Sequence, residues 1–249
     1  MTRVLVGTSG FSYPEWCGPF YPKGLRAERM LAYYGERLDA VELNNTFYRT
    51  PSPEALAKWA AEVPEGFRFA VKASRFLSHA LKGDRAEAIA GFARGVGALG
   101  ARLGPVMLQI PAPVAKDVAR LEVLLGQLPA GARFAFDFRH PSWLADDVYA
   151  ALRAHEAALV VTDDEERAGA LVVTADVAYV RLRRDAYGRA RLRAWAERLA
   201  GCGAAEAYVF FKHEGSTRGP ELAVALRAEL ARVTSPRGAR ARASRPKRR

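Results

Sequence analysis

Apolar residues along this chain follow two spacings in turn. Short β-branched or aromatic runs, whose period of two suits a strand, each lead through a turn into a longer stripe at the helical spacing i, i+3, i+4, i+7. The pattern predicts strands at Arg3–Thr8, Asp39–Asn44, Phe67–Ala73, Pro105–Ile110, Phe134–Phe138, Ala158–Thr162, Ala178–Leu182 and Ala207–Phe211. After the second strand, Ser52 is placed to cap a helix with Pro53 at its first position and Leu56, Trp59, Ala60 and Val63 on its inner face. Comparable stripes are Ile89, Phe92, Val96 and Leu99 after the third strand, and Val118, Leu121, Leu125 and Leu128 after the fourth. Leu192, Trp195 and Leu199 follow the seventh, and Leu222, Leu226 and Leu230 the eighth. The sixth unit is thin, because "DDEERAGALVVTAD" leaves room for little more than a helical turn. Eight βα units in series predict an α/β fold, a (βα)8 TIM-type barrel with a weak or missing sixth helix, in preference to an open doubly wound sheet. Strand order, which separates those two, is not written in a single sequence.

The stretch "LDAVELNNTFYRTP" (residues 38–51) puts Glu42 where a strand should be most apolar. Alternate strand residues face opposite sides, so Val41 and Leu43 point one way and Glu42 with Asn44 the other. With the larger apolar set under the helices, Glu42 and Asn44 point into the barrel. The same parity turns Lys72, Gln109, Asp137, Arg139 and Arg181 inward. Each lies late in its strand, toward the end of a barrel where active sites are built. A lone buried charge costs several kcal/mol, so these groups are expected either to pair or to face a solvated cavity. Glu42 and Asp137 against Lys72, Arg139 and Arg181 sum to +1. A set of mutually satisfied ion pairs that only rigidifies the barrel is the competing reading.

Composition changes this picture in one respect. The net charge of +11 is concentrated at the end of the chain, where "RGARARASRPKRR" carries seven basic residues and no acid, leaving +4 for residues 1–236. The expected organisation is a barrel domain over residues 1–233 and a disordered Arg/Lys-rich tail over 234–249. That tail has no large apolar residue to bury and is suited to non-specific contact with nucleic acid, or simply to keeping the protein soluble. Cys17 and Cys202 form no Cys-x-x-Cys pair, and neither a disulfide framework nor a zinc site is expected. The apolar run after Arg3 falls short of the roughly 7–15 residues of a signal-peptide core, and no run approaches the ~20 residues of a membrane span. A cytoplasmic protein with no membrane partner is the expectation.

Several stretches are long and unusual in composition: "GTSGFSYPEWCGPFYPKGL", "YYGERLDAVELNNTFYRTPSPEALAKWAAEVPEGFRFAVKASRFLSH", "GPVMLQIP", "FAFDFRHPSWL" and "ALVVTDD". In order and almost from end to end they resemble the YecE-like family, domain of unknown function 72. The resemblance implies a TIM-type barrel and no established activity; the family's own distant similarity to endonuclease IV and sugar-isomerase barrels is an analogy of fold. The motif positions it carries over are Thr8, Ser9, Tyr13, Trp16, Tyr21, Glu42, Asn44, Phe47, Tyr48, Lys72, Gln109, Arg139, His140, Trp143 and Asp163. Two positions depart from the family pattern. Arg183 stands where a histidine is usual, and His213 lies near the place of a usual asparagine.

The chemistry these residues suggest is general acid–base catalysis by Glu42, Lys72, Asp137 and His140 on a small anionic substrate, hydrolytic or isomerising in type. Glu42 is read as the base, Lys72 as the group that sets its pKa and Arg139 as the one that orients the ligand. Thr8, Ser9, Tyr13, Trp16, Asn44, Phe47, Tyr48, Gln109, Trp143, Asp163 and Arg181 complete the expected binding set. Trp143, Trp16, Tyr13 and Phe47 are read either as stacking on a ring-shaped ligand or as packing within their own loops. His140 is divided between catalysis and fixing the turn before Pro141. Glu42, Asp137, Asp163 and His140 suit a single Mg2+ or Mn2+ by ligand type, although no dedicated metal motif is present. Neither a nucleotide-binding glycine loop nor a serine-hydrolase elbow occurs. The alternative from another class is a nucleic-acid-binding or endonuclease IV-like repair protein using the tail and a basic mouth.

Overall fold

The computed structural model describes residues 1–47, 50–77, 84–167, 169–213 and 216–235. Eight parallel strands close into a barrel in chain order: β1 Arg3–Ser9, β2 Ala40–Leu43, β3 Arg68–Lys72, β4 Leu103–Ile110, β5 Phe134–Phe138, β6 Ala158–Asp163, β7 Val177–Leu182 and β8 Glu206–Phe211. β1 pairs with both β2 and β8, which closes the ring and removes the open-sheet alternative. The helices are α1 Ala27–Gly35, α2 Pro53–Glu62, α3 Ala86–Val96, α4 Val118–Gly126, α5 Asp146–Ala154, α6 Arg189–Ala200 and α7 Arg218–Thr234. Every predicted strand has its counterpart, with ends that differ by a residue or two.

Helix starts follow local chemistry. At α2 the Ser52 hydroxyl accepts the Ala55 amide at 3.3 Å and Pro53 occupies the first turn, where its missing N–H is no loss. Leu56 in α2, Ile89 and Val96 in α3, Leu121 and Leu125 in α4, Leu192, Trp195 and Leu199 in α6 and Leu226 in α7 are buried against the outer faces of the strands. The third stripe is interrupted. α3 gives way to a 3-10 segment, Gly97–Arg102, in which Gly100 takes a positive φ of 54°, so Leu99 reaches the core from that segment.

Among the described residues no helix separates β6 from β7. The connection instead lies along the outer face of β6, with Leu171, Val172 and Val173 packed on the core. The Thr174 hydroxyl accepts the Leu159 amide and donates to the Ala157 carbonyl. This short strap covers the barrel wall where a helix would otherwise lie.

The parity expected of the strands is met. The lumen holds Leu5, Ala40, Ala70, Met107, Ala135, Ala158, Val160, Val177, Tyr179, Tyr208 and Phe210, a cluster separate from the larger one between strands and helices. Layers of inward side chains make this a packed core and not a pore. Among the described residues no helix is long and apolar enough to cross a membrane. Residues 236–249, on which the reading of nucleic-acid contact through a tail depends, lie outside the described residues.

Candidate functional site

Above the lumen packing, at the C-terminal ends of the strands, the inward side chains become charged. Glu42 of β2 is completely buried. Four donors meet its carboxylate: Arg181 Nη2 at 3.0 Å, Ser9 Oγ at 2.6 Å and Asn44 Nδ2 at 3.0 Å on Oε2, and Tyr179 Oη at 2.7 Å on Oε1. Arg181 of β7 reaches across to Asp137 of β5 through Nη1 at 3.0 Å, and Arg139 Nη2 meets the same Asp137 Oδ2 at 2.7 Å. One continuous network therefore joins β1, β2, β5 and β7.

Burial by itself would raise the Glu42 pKa, but the Arg181 guanidinium and the Ser9, Tyr179 and Asn44 hydrogen bonds outweigh it and hold the carboxyl at about 2. Arg181 is pushed up from its ordinary value because Glu42 and Asp137 together overcome its own desolvation. Tyr179 is raised by burial and by the Glu42 charge. A carboxylate so well solvated by the protein is a poor proton acceptor at neutral pH. Arg181, not Lys72, is the charge that holds the Glu42 pKa down, an arrangement that favours an anchoring role for Glu42 over the role of base expected from the sequence.

Lys72, at the end of β3, is the group whose charge is least supported. Its Nζ lies 4.1 Å from the centre of the Phe47 ring, and among the described residues no carboxylate forms an ion pair with it. Desolvation and the Arg181 charge lower its pKa to about 8, with Lys212 adding to the effect and Glu42 and Asp137 opposing it. Phe47 is held in place by the 3-10 turn Asn45–Phe47, where the Thr46 hydroxyl contacts the carbonyls of Leu43 and Lys72 and ties the ends of β2 and β3 together. Arg139 is shifted down from the guanidinium value, first by desolvation and then by Arg181, Arg183 and Arg167, with Asp137 opposing. Gln109 stands in register with Asp137.

Other predicted residues sit elsewhere. Thr8 faces the helices, its hydroxyl at 2.8 Å from Tyr34 Oη. Asp163 has the parity opposite to Thr162 and also faces outward, receiving Arg184 Nε at 2.7 Å and Trp195 Nε1 at 3.1 Å. Trp143 stacks on Phe138 at 4.6 Å and donates to the Val114 carbonyl, and Trp16 donates to the Ser216 carbonyl. Both indoles are fully buried and offer no face to a ligand in the mouth. The His140 ring accepts the Ser142 amide and lies 2.8 Å from its hydroxyl, which fixes the turn into Pro141–Trp143. Tyr13 and Asn44 border a neighbouring cavity of about 550 Å3 that Phe11, Leu31 and Trp59 also line. Tyr48 lies outside the described residues. Glu42, Asp137, Asp163 and His140 are not gathered into one ligand set, and among the described residues no three His, Cys, Asp or Glu side chains cluster to hold a metal. His213 bonds the Arg184 carbonyl through Nε2 at 2.6 Å, and the Arg183 amide donates to the Asp163 carbonyl.

Tyr179 and Thr162 are two inward polar residues that the sequence reading passes over. Tyr179 shares the parity of Arg181 and was detectable on that ground, but a tyrosine in an apolar run reads as core.

A family model described as "Protein of unknown function DUF72" matches residues 5–247. The chain belongs to this family. It is similar to the UPF0759 protein YecE of Escherichia coli K12, 27% identical over 144 residues that make up 57% of this chain and 50% of YecE. The chain spans about half the length of the curated relatives it matches. Among solved structures, a DUF72 family protein from Thermotoga maritima superposes with a TM-score of 0.78 at 29% identity, over 92% of this chain and 99% of that one. Another, from Enterococcus faecalis, gives 0.76 at 19% identity, over 92% and 95%, a likeness of fold alone. None of these names carries an activity.

Proposed function

We propose that the mouth of this DUF72 barrel binds a small anionic metabolite, phosphorylated or carboxylated, and performs acid–base chemistry on it with Lys72 as the proton carrier. The observation that supports this most directly is the Lys72 ammonium. It sits at the strand ends with no carboxylate partner among the described residues and a pKa of about 8, where it can both give and take a proton near neutral pH. Glu42 and Asp137 serve as fixed counter-charges that hold Arg181 and Arg139 in place. Arg139 is the group that meets the ligand, since its guanidinium keeps donors beyond the one committed to Asp137.

The test is a thermal-shift screen against phosphorylated sugars and small carboxylic acids, with the stabilising compounds then followed for conversion by proton NMR. The expected outcome is stabilisation by one or more anions, loss of it in Arg139→Ala, and retained binding without conversion in Lys72→Met. If no anion stabilises the fold and Arg139→Ala leaves that unchanged, the reading loses its basis.

A further inference from the structure

Three buried donors in the mouth have no partner among the described residues: Arg139 Nε, Thr162 Oγ1 and Arg181 Nε. They lie on β6 and β7 and just past the end of β5, three neighbouring strands of the barrel. Thr162 of β6 is paired in register with Arg181 of β7. Arg139 shares the inward parity of Ala135 and Asp137 on β5, as Thr162 shares that of Ala158 and Val160 on β6. Adjacent strands lie roughly 4.8 Å apart, so the three side chains form one short wall. Arg139 and Arg181 are close enough to share a single oxygen of Asp137, at 2.7 and 3.0 Å. Thr162 is 7% exposed and Arg181 fully buried.

Buried donors are nearly always satisfied, and leaving one unpaired costs about 1–3 kcal/mol. The two arginine nitrogens can only donate, so what completes this wall is an acceptor. Charge narrows the choice further. Lys72, Arg139 and Arg181 face Glu42 and Asp137, a surplus of one positive charge to which the field of Arg183 at Arg139 adds, while nearby Arg167 is already neutralised by Asp164 at 2.9 Å. A water molecule would satisfy a donor without offsetting that surplus. A doubly charged oxyanion does both.

We propose that the β5–β7 wall is a subsite for the phosphoryl dianion of the substrate, received by Arg139 Nε, the Thr162 hydroxyl and Arg181 Nε. This rests on the anion-binding reading above and narrows it from anions in general to phosphate monoesters. Thr162 becomes a binding residue, and Lys72, on β3 across the mouth, faces the rest of the molecule.

Isothermal titration of the full chain with inorganic phosphate and with acetate, at fixed ionic strength, tests the proposal in the natural protein, Thr162→Val and Thr162→Ser. The basic tail is common to all three and cancels in the comparison. The natural protein and Thr162→Ser should bind phosphate alike, with Thr162→Val weaker by about tenfold or more, as expected for loss of a hydrogen bond to a charged group. Acetate should bind more weakly than phosphate. Independently of how well the valine variant folds, phosphate should move the Nε–H resonances of Arg139 and Arg181 in 1H–15N spectra. Unchanged phosphate affinity in a folded Thr162→Val, or arginine resonances that do not move, overturns the subsite and leaves the anion reading standing. Acetate binding as tightly as phosphate overturns the dianion assignment. Failure of the natural protein to bind either anion overturns both.

Discussion

The two ends of the barrel lumen each carry an ion-pair network, and they differ in every respect that bears on function. At the N-terminal end, Glu206 is held by Arg3 at 3.2 Å and Arg133 at 2.7 Å, with Tyr208 Oη bonded to both Glu206 and Arg133. Those arginines are open to water, 49% and 35% exposed, and such pairs contribute little net stability. At the C-terminal end, Glu42, Asp137 and Arg181 are all buried. Their desolvation is expensive, donors beside them are left without partners, and positive charge is in excess. A network that only closed the barrel could be exposed and complete, as the lower one is. The upper network keeps buried charge that packing alone does not require, and this contrast is what supports the proposal of an anion site at that end.

The sharpest way to break this comparison is Arg181→Met. It leaves the buried Glu42 without its counter-charge and Asp137 with Arg139 alone, and should cost about 3–5 kcal/mol in urea denaturation at neutral pH. A loss below about 1 kcal/mol would make the upper network equivalent to an exposed surface pair.

The acid limb comes next. Glu42 has a folded pKa of about 2 against an ordinary 4.5, so its contribution is fully present above about pH 4.5 and is lost as pH falls from there toward 2. Glu42→Gln should flatten that part of the stability profile. Tyr179→Phe removes one donor to Glu42 and should cost about 1–3 kcal/mol.

Lys72 works in the opposite direction. Its folded pKa of about 8 lies below the ordinary 10.5, so the unfolded chain holds more protons between those values and stability should rise with pH across that window. The rise should be absent in Lys72→Met, measured as melting temperature against pH. The smallest effect belongs to the lower network, where Arg133→Gln should cost less than about 1 kcal/mol. A larger loss there would show that the lower ion pairs hold the barrel together more than their exposure suggests.

Much of this was legible in the chain itself. Period-two runs separated by helical stripes marked eight strands, the thin "DDEERAGALVVTAD" segment marked the missing helix, and strand parity turned Glu42, Lys72, Asp137, Arg139 and Arg181 toward one chamber. Parity depends only on backbone geometry and on which face buries more apolar surface, both local properties. Where parity was not followed through, the reading slipped. Asp163, a position carried over from the family resemblance without a parity argument, points to Trp195 and Arg184 on the helix side, and its neighbour Thr162 is the inward residue of β6. For Trp16 and Trp143 the sequence leaves stacking on a ligand and packing within a loop as alternatives, because it does not show what covers a loop, and their burial decides for packing.

The sequence by itself determined the order of elements and which side chains enter the barrel, because those follow from periodicities of a few residues. Tertiary structure alone decided which charge meets which. Arg181 lies 139 residues from Glu42 along the chain and 3.0 Å from it in space, and that closeness ties the glutamate into a buried ion pair while Lys72, beside Phe47, has no carboxylate in an ion pair with it among the described residues. Electrostatic roles depend on distance and burial across strands, and neither quantity exists until the barrel has closed.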